Sequence, residues 1–324
     1  MKKQIIIDTF GSDLGIYPTV KGTIEAKKLH PDYDFVLVGN KEEILDIFKK
    51  EVVNDADFKI LDSRKYFLNT IKPTLIFNEY RDSTLGTSLT ELKNNENTIG
   101  LITPGSTGGV LVGSIFLLGL LPNLKFPCLS SVLFTKDKKY FCLVDCGAQV
   151  DSKPSDLLNY AKLGNAFMKS YIKVDNPRIG LLSIGREDTK GNLVTKEAFN
   201  LLKETNLNFI GNLEPINIFN GEADVVVCDG FSGNVFLKNT ETVAMICKNI
   251  AMKNVDGEEA KGIETNINGL FSYSDQAGAI LLGASKPIIK VHGKCNESTI
   301  NGAVKQLINL DKGNFIDNIK KDLN

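Results

Sequence analysis

Short apolar runs that stop abruptly at glycine and small polar residues constrain this chain more than any other feature. The run Val225-Val226-Val227-Cys228 is β-branched and uninterrupted, as in a strand buried on both faces of a parallel sheet. Asp229-Gly230-Phe231-Ser232-Gly233-Asn234 follows it as a turn of residues that tolerate unusual backbone angles and expose main-chain amides. The same form returns over 5–8, 35–39, 99–103, 140–144, 179–184 and 288–291, with shorter candidates at 58–61 and 209–212. Helical stretches separate the runs: 17–29, 42–50, a buried apolar helix across 108–121, 155–168, 195–204, a helix after Asn234 through Val243, Met245, Ile246 and Ile250, and 297–310. Such alternation is the mark of βαβ units, so the expected fold class is α/β with a mostly parallel sheet. The chain reads as one unit over 1–324, with a smaller dimer-forming lobe around 235–285 and a polar loop over 256–268.

Charge and cysteine usage exclude several classes of function. Thirty-eight basic residues against thirty-nine acidic ones leave a net charge of −1, and no basic block is interleaved with aromatics, so no nucleic-acid partner is expected. The six cysteines form no CxxC pair and there are only two histidines, so no metal site is expected. Reduced thiols and an N-terminus without a signal-peptide pattern indicate a cytoplasmic protein. The most apolar span, 108–121, is shorter than the roughly 20 residues that cross a bilayer.

Chemistry is expected where the runs end, because ligands of open α/β sheets collect at the carboxyl ends of strands. Pro104-Gly105-Ser106-Thr107-Gly108-Gly109 joins a strand to a helix and presents amides suited to an anion; it is neither a Walker loop nor GxGxxG. The same glycines would equally serve close helix-on-sheet packing. Asp145-Cys146-Gly147-Ala148, the stretch from Gly185 to Asn192, and Asp229 to Asn234 end further runs in the same way, and a series of such ends points to one shared crevice.

These loops carry a resemblance. The block Asp145 to Pro154, Gly180 to Asn192, Asn208 to Glu214, Ala223 to Asn234 and Ile289 to Gly293 resemble, in order, the signature blocks of the PlsX family of phosphate acyltransferases, and Gly105 to Gly109 resembles that family's Ala-Gly-Asn-Thr-Gly-Ala. The resemblance implies a Rossmann-like three-layer α/β/α sandwich akin to isopropylmalate dehydrogenases and phosphotransacetylases, a homodimer, and no cofactor. The implied reaction moves a fatty acyl group from acyl carrier protein or CoA to phosphate, giving acyl phosphate for phospholipid synthesis. Of the family's opening Asp-Ala-Met-Gly-Gly-Asp only Asp8, Gly11 and Asp13 keep their places, and the family's Arg-x-Lys-x-x-Ser segment is replaced around Arg81 to Ser88. The segment between Cys247 and Gly278 is shorter than in typical members, whose hairpin there is associated with acyl-chain and membrane contact; weak or no membrane association is therefore expected. Two alternatives remain open: transfer of a short acyl group, as in the PlsX-like subunit of glycine reductase component C, and a non-catalytic paralogue that binds acyl groups or a partner protein.

Phosphate is itself a nucleophile at neutral pH, so positioning and electrostatics can carry the catalysis. The residues expected to take part are Lys190 as cation, His292 as proton-handling group and Asn234 as donor. Gly105, Ser106, Thr107, Gly108, Gly109, Asp145, Gly147, Lys153, Asn212, Asp229, Gly230, Ser232 and Gly233 are expected to bind phosphate or substrate, with Asp145 and Asp229 orienting loop amides. A solvated lysine, a histidine capping a strand end, and purely structural aspartates are the alternative readings of the same residues.

Overall fold

The computed structural model describes residues 2–253, 255, 262 and 278–323. The chain forms two compact units, Met1–Pro127 with Asp275–Asp317, and Cys128–Ser274 with Asn318–Asn324. The expected loop over 256–268 lies outside the described residues except for Gly262, as does much of the lobe expected around 235–285.

Unit one carries β1 (Lys3–Asp8), α1 (Tyr17–Leu29), β2 (Tyr33–Gly39), α2 (Lys41–Lys50), β3 (Lys59–Asp62), α3 (Thr84–Asn94), β4 (Thr98–Thr103) and α4 (Thr107–Gly113). In unit two follow β5 (Cys128–Phe134), β6 (Tyr140–Val144), α5 (Pro154–Phe167), β7 (Ile179–Leu182), α6 (Leu193–Lys203), β8 (Phe209–Leu213), α7 (Pro215–Phe219), β9 (Val225–Val227) and α8 (Gly230–Met252). The chain then adds β10 (Ala279–Leu282), β11 (Ile288–Lys290) and α9 (Glu297–Lys312) to unit one, and α10 (Phe315–Leu323) follows.

The strand order in unit one is β3-β2-β1-β4-β11-β10, parallel except for the last pair. In unit two it is β5-β6-β9-β7-β8, parallel except for the first. The mostly parallel α/β class expected from the alternating runs is the observed one. In each unit the parallel strands put their carboxyl ends on one edge, and that edge carries the glycine-rich connections.

Local sequence explains the elements. Ile5, Ile6 and Ile7 are wholly buried, as a central parallel strand requires. Asn40 caps α2 by accepting the Glu42 amide, with Glu42 and Glu43 in its first turn and Lys49 and Lys50 in its last, matching the helix dipole. Its buried face, Ile44, Ile47 and Phe48, packs with Val20, Ile24 and Leu37; each such side chain contributes about 1.5–3 kcal/mol.

Three differences from the sequence reading stand out. The single buried helix expected across 108–121 is instead α4 followed by a π-turn, Ser114–Leu118, that ends at Gly119 with φ +103°, and Phe116 within it is 59% exposed. Strand β5 gave no periodic signal; it is buried on both faces and pairs antiparallel with β6. The turn expected over 229–234 is the cap and first turn of α8, which starts at Gly230 instead of after Asn234.

Candidate active site

Strand β6 runs into Asp145, the first residue of a loop that is folded around that one side chain. The carboxylate is completely buried and accepts the amides of Leu129 at 3.0 Å, Gly147 at 3.1 Å, Ala148 at 2.9 Å and Gln149 at 2.7 Å. The Cys146 amide goes to the Leu129 carbonyl at 2.9 Å. Every amide from Cys146 to Gln149 is thus spent inside the protein, and Asp145 organises the loop. Burial raises its pKa above the ordinary carboxylate value, against the lowering pull of the amides. Gln149, which sequence reasoning did not single out, extends the network: its Oε1 accepts the Tyr160 hydroxyl at 3.2 Å, and its Nε2 donates to Asp156 Oδ2 at 3.3 Å.

The neighbouring strand β9 ends against this loop. The Gly230 amide donates to the Gln149 carbonyl at 2.9 Å, and a Cβ on Gly230 would lie 2.6 Å from that oxygen. Any Cβ on Gly233 would run into the Asp145 carbonyl oxygen. These two glycines let the start of α8 lie directly on the 145–149 loop. Asp229 caps the helix, accepting the Ser232 amide and hydroxyl, each at 2.8 Å. The Gly233 amide bonds to the Asp229 carbonyl at 2.9 Å. Consequently the amides of Gly230, Ser232 and Gly233 have internal partners, whereas that of Phe231 has none among the described residues. Asn234, half-buried, sets its side chain 3.5 Å from where a Gly147 Cβ would stand, and its amide group has no partner among the described residues.

The next ends on the same edge belong to β7 and β8. Asn212 Nδ2 donates to the Glu187 carbonyl at 2.8 Å, and the Lys190 amide donates to the same oxygen at 3.0 Å, so Asn212 ties down the loop that carries Lys190. Asn212 Oδ1 and the Ser183 hydroxyl are buried with no protein partner among the described residues. Lys190 and Lys153 are exposed, and neither enters an ion pair among the described residues. Lys153 also serves as the cap residue of α5, its amide donating to Asp156 Oδ2 at 2.9 Å. Burial pushes the Cys146 thiol above its ordinary value, an inert environment for a nucleophile.

Unit one holds the other expected residues. Chain order places the reversal of its sheet between β1 and β4, and the loops after those strands touch: a Cβ on Gly11, whose φ is +121°, would lie 2.6 Å from Gly105 Cα. Ligands gather at such a reversal. The Gly105 amide is taken by Thr103 Oγ1 at 2.9 Å and the Gly109 amide by Ser106 Oγ at 3.4 Å. The amides of Thr107 and Gly108 have no partner among the described residues. Gly108 and Gly109 also lie where a Cβ would meet Pro73 and Phe67, each at 2.7 Å, so packing accounts for both glycines. His292 is exposed, with Nδ1 accepting the Lys294 amide at 3.2 Å. An open cleft of about 610 Å³ lined by Lys65, Arg81 and Glu91 contains none of the expected residues.

Unit two therefore brings together Asp145, Gly147, Asp229, Gly230, Ser232, Gly233 and Asn234, with Asn212 and the Lys190 loop further along the same edge. Gly105, Ser106, Thr107, Gly108, Gly109 and His292 belong to unit one. Sequence reasoning missed Gln149, Ser183 and Phe231 in unit two, and Thr103 and Lys290 in unit one; Asp8 it noted only as a position shared with the family's opening motif.

Comparison with known proteins bears on the family and the fold. The model of the fatty acid synthesis protein family matches residues 3–318. A protein of Clostridium tetani named phosphate acyltransferase is 34% identical over 328 residues, covering 99% of this chain and 98% of its own. Another of that name, from Halalkalibacterium halodurans, is 36% identical and covers 94% of this chain and 91% of its own. The solved structure of a phosphotransacetylase from Streptococcus pyogenes shares the fold, with a TM-score of 0.68 at 16% identity, covering 96% of this chain and 94% of its own. Because the family match spans nearly the whole chain, the chain belongs to the fatty acid synthesis protein family, the PlsX family that its sequence blocks resemble.

Proposed function

We propose that this protein is a phosphate acyltransferase: it transfers an acyl group from a thioester to inorganic phosphate, giving an acyl phosphate and a free thiol. The observation that carries the reading within unit two is the row of neighbouring strand ends where Asp145 and Asp229 consume most loop amides, leaving the Asn234 side chain, the Phe231 amide and the Lys190 ammonium unspent on one edge. A phosphate oxygen attacks the thioester carbonyl carbon, the C–O bond forms, and the carbonyl oxygen becomes negative. Asn234 and the Phe231 amide are suited to donate to that oxyanion, and Lys190 to hold the dianionic nucleophile. Collapse breaks the C–S bond, and the sulfur leaves with a proton drawn from the phosphate or solvent.

Acyl carrier protein or CoA is the proposed thiol carrier. The homodimer and the cytoplasmic location stand as proposals beside it; among the described residues no helix is long and apolar enough to cross a membrane. Lys153, Asn212 and His292 are proposed to contact substrate, and the Thr107 and Gly108 amides of unit one to engage a phosphate oxygen. Incubating the full chain with phosphate and acyl thioesters of graded length, on either carrier, and trapping acyl phosphate as a hydroxamate tests the reading. No acyl phosphate at any length refutes it. Asn234→Ala is expected to lower kcat about 100-fold with the fold intact, the loss of one oxyanion donor, and Lys190→Ala to raise the KM for phosphate.

A further inference from the structure

Three adjacent parallel strands of unit one, β1, β4 and β11, end in Asp8, Thr103 and Lys290, and these side chains fasten the start of the glycine-rich loop from two sides. On one side, Thr103 Oγ1 donates to Asp8 Oδ2 at 2.8 Å and accepts the Gly105 amide at 2.9 Å. The Phe10 amide holds the other Asp8 oxygen at 3.2 Å. On the opposite side, the Lys290 ammonium donates to the Pro104 carbonyl at 3.2 Å and to the Val291 carbonyl. A Cβ on Gly11 would lie 2.6 Å from Gly105 Cα, so the loops after β1 and β4 run close together here.

We propose that Lys290 is a positioning residue for the reaction: its ammonium tethers the Pro104 carbonyl and, with the Asp8–Thr103–Gly105 relay, sets the course of the loop that engages the phosphate oxygen. The inference rests on the reading that this loop meets substrate. A lysine kept only for stability would be paired with a carboxylate; this half-buried one donates to two backbone carbonyls instead. The charged and titratable groups that face it are Asp8 on β1, Asp13 in the loop after β1, and Cys295 beyond β11. Burial outweighs them and brings the ammonium's pKa down to about 8. Above that pH the neutral amine holds the carbonyls more weakly, and the loop slackens.

The test uses the full chain, inorganic phosphate and one acyl thioester, from about pH 6.5 to about pH 9.5. In the wild type, kcat/KM for phosphate is expected to fall toward tenfold per pH unit above about 8. Lys290→Met should raise the phosphate KM about tenfold, leave the thioester KM within about twofold, and lack the alkaline limb. Lys290→Arg, charged throughout, should keep phosphate affinity and move the limb beyond the range. An alkaline limb that persists in Lys290→Met, or equal losses for both substrates, overturns the proposal. Amide exchange over residues 105–109, corrected for intrinsic rates, reads the tether without activity. It should quicken through about pH 8 in the wild type and be fast at every pH in Lys290→Met. Exchange indifferent to Lys290 overturns the tether. The expected exchange without acyl phosphate from any thioester leaves the tether standing and refutes the phosphate acyltransferase reading and, with it, the positioning role.

Discussion

At the scale of single residues, Gly233 carries the most pointed consequence. Its Cβ would collide with the Asp145 carbonyl oxygen and approach Cys228 Sγ to 2.8 Å, and backbone hydrogen bonds hold both neighbours in place, the Asp145 amide to the Cys228 carbonyl at 3.0 Å and the Cys228 amide to the Val144 carbonyl at 2.8 Å. Gly233→Ala is therefore expected to destabilise the chain by about 2–3 kcal/mol, in the range of overpacking, measurable as a lower urea midpoint with an unchanged slope. An alanine tolerated there would mean that the first turn of α8 does not rest on the 145–149 loop. The glycine was legible in sequence only as a permissive turn residue. Its reason, a carbonyl from a loop more than eighty positions earlier, is not written in its neighbourhood. The same holds for Asp145, visible as a polar strand end yet defined by four amides it gathers, one of them from Leu129 on β5, an element that left no periodic trace.

At the scale of elements, the start of α8 shows why the helix boundary was misread. Gly230 and Gly233 are poor helix formers, so local propensity places the helix start after Asn234. Tertiary contact overrides propensity here, because only residues without a Cβ let the first turn lie on the neighbouring loop, while Asp229 supplies the cap. Asp229→Ala removes acceptors for both the Ser232 amide and its hydroxyl. A loss of about 1 kcal/mol is expected, with amide exchange faster in the first turn of α8 and unchanged in α2. Uniform destabilisation of both helices would contradict the local role. Helix α2, by contrast, was legible nearly to its ends, because its cap, charges and apolar face all lie within one short segment.

At the scale of the whole molecule, buried titrating groups predict how stability follows pH. Burial raises Asp8 from 3.8 to about 6, so the folded state holds its proton more tightly than the unfolded chain does. The contribution is full below the unfolded value and is lost as pH rises through about 6, roughly 3 kcal/mol for a shift of this size. Asp8→Asn should flatten the stability curve between about pH 4 and pH 6. Lys290, lowered from 10.5 to about 8, works in the other direction: the unfolded chain binds more protons between those values, so stability from this group rises over that interval. Denaturant titrations across pH measure both slopes, and a flat wild-type profile around pH 5 would contradict the burial of Asp8.

Hydrophobic periodicity and the residues next to each run were enough to establish the α/β class and the parallel strands, because burial on a sheet is a repeating, local property that a short window of sequence reveals; the resemblance to the family rested instead on the ordered blocks at the run ends. Which donors are spent and which remain free was decided by tertiary structure alone. Thr103 reaches Asp8 across 95 positions, and the Cys228 thiol reaches the Asp145 carbonyl across 83. Hydrogen bonding saturates, so an amide claimed by a carboxylate that the fold brings from elsewhere is no longer available to a ligand, and no reading of its own segment can tell that it has been claimed.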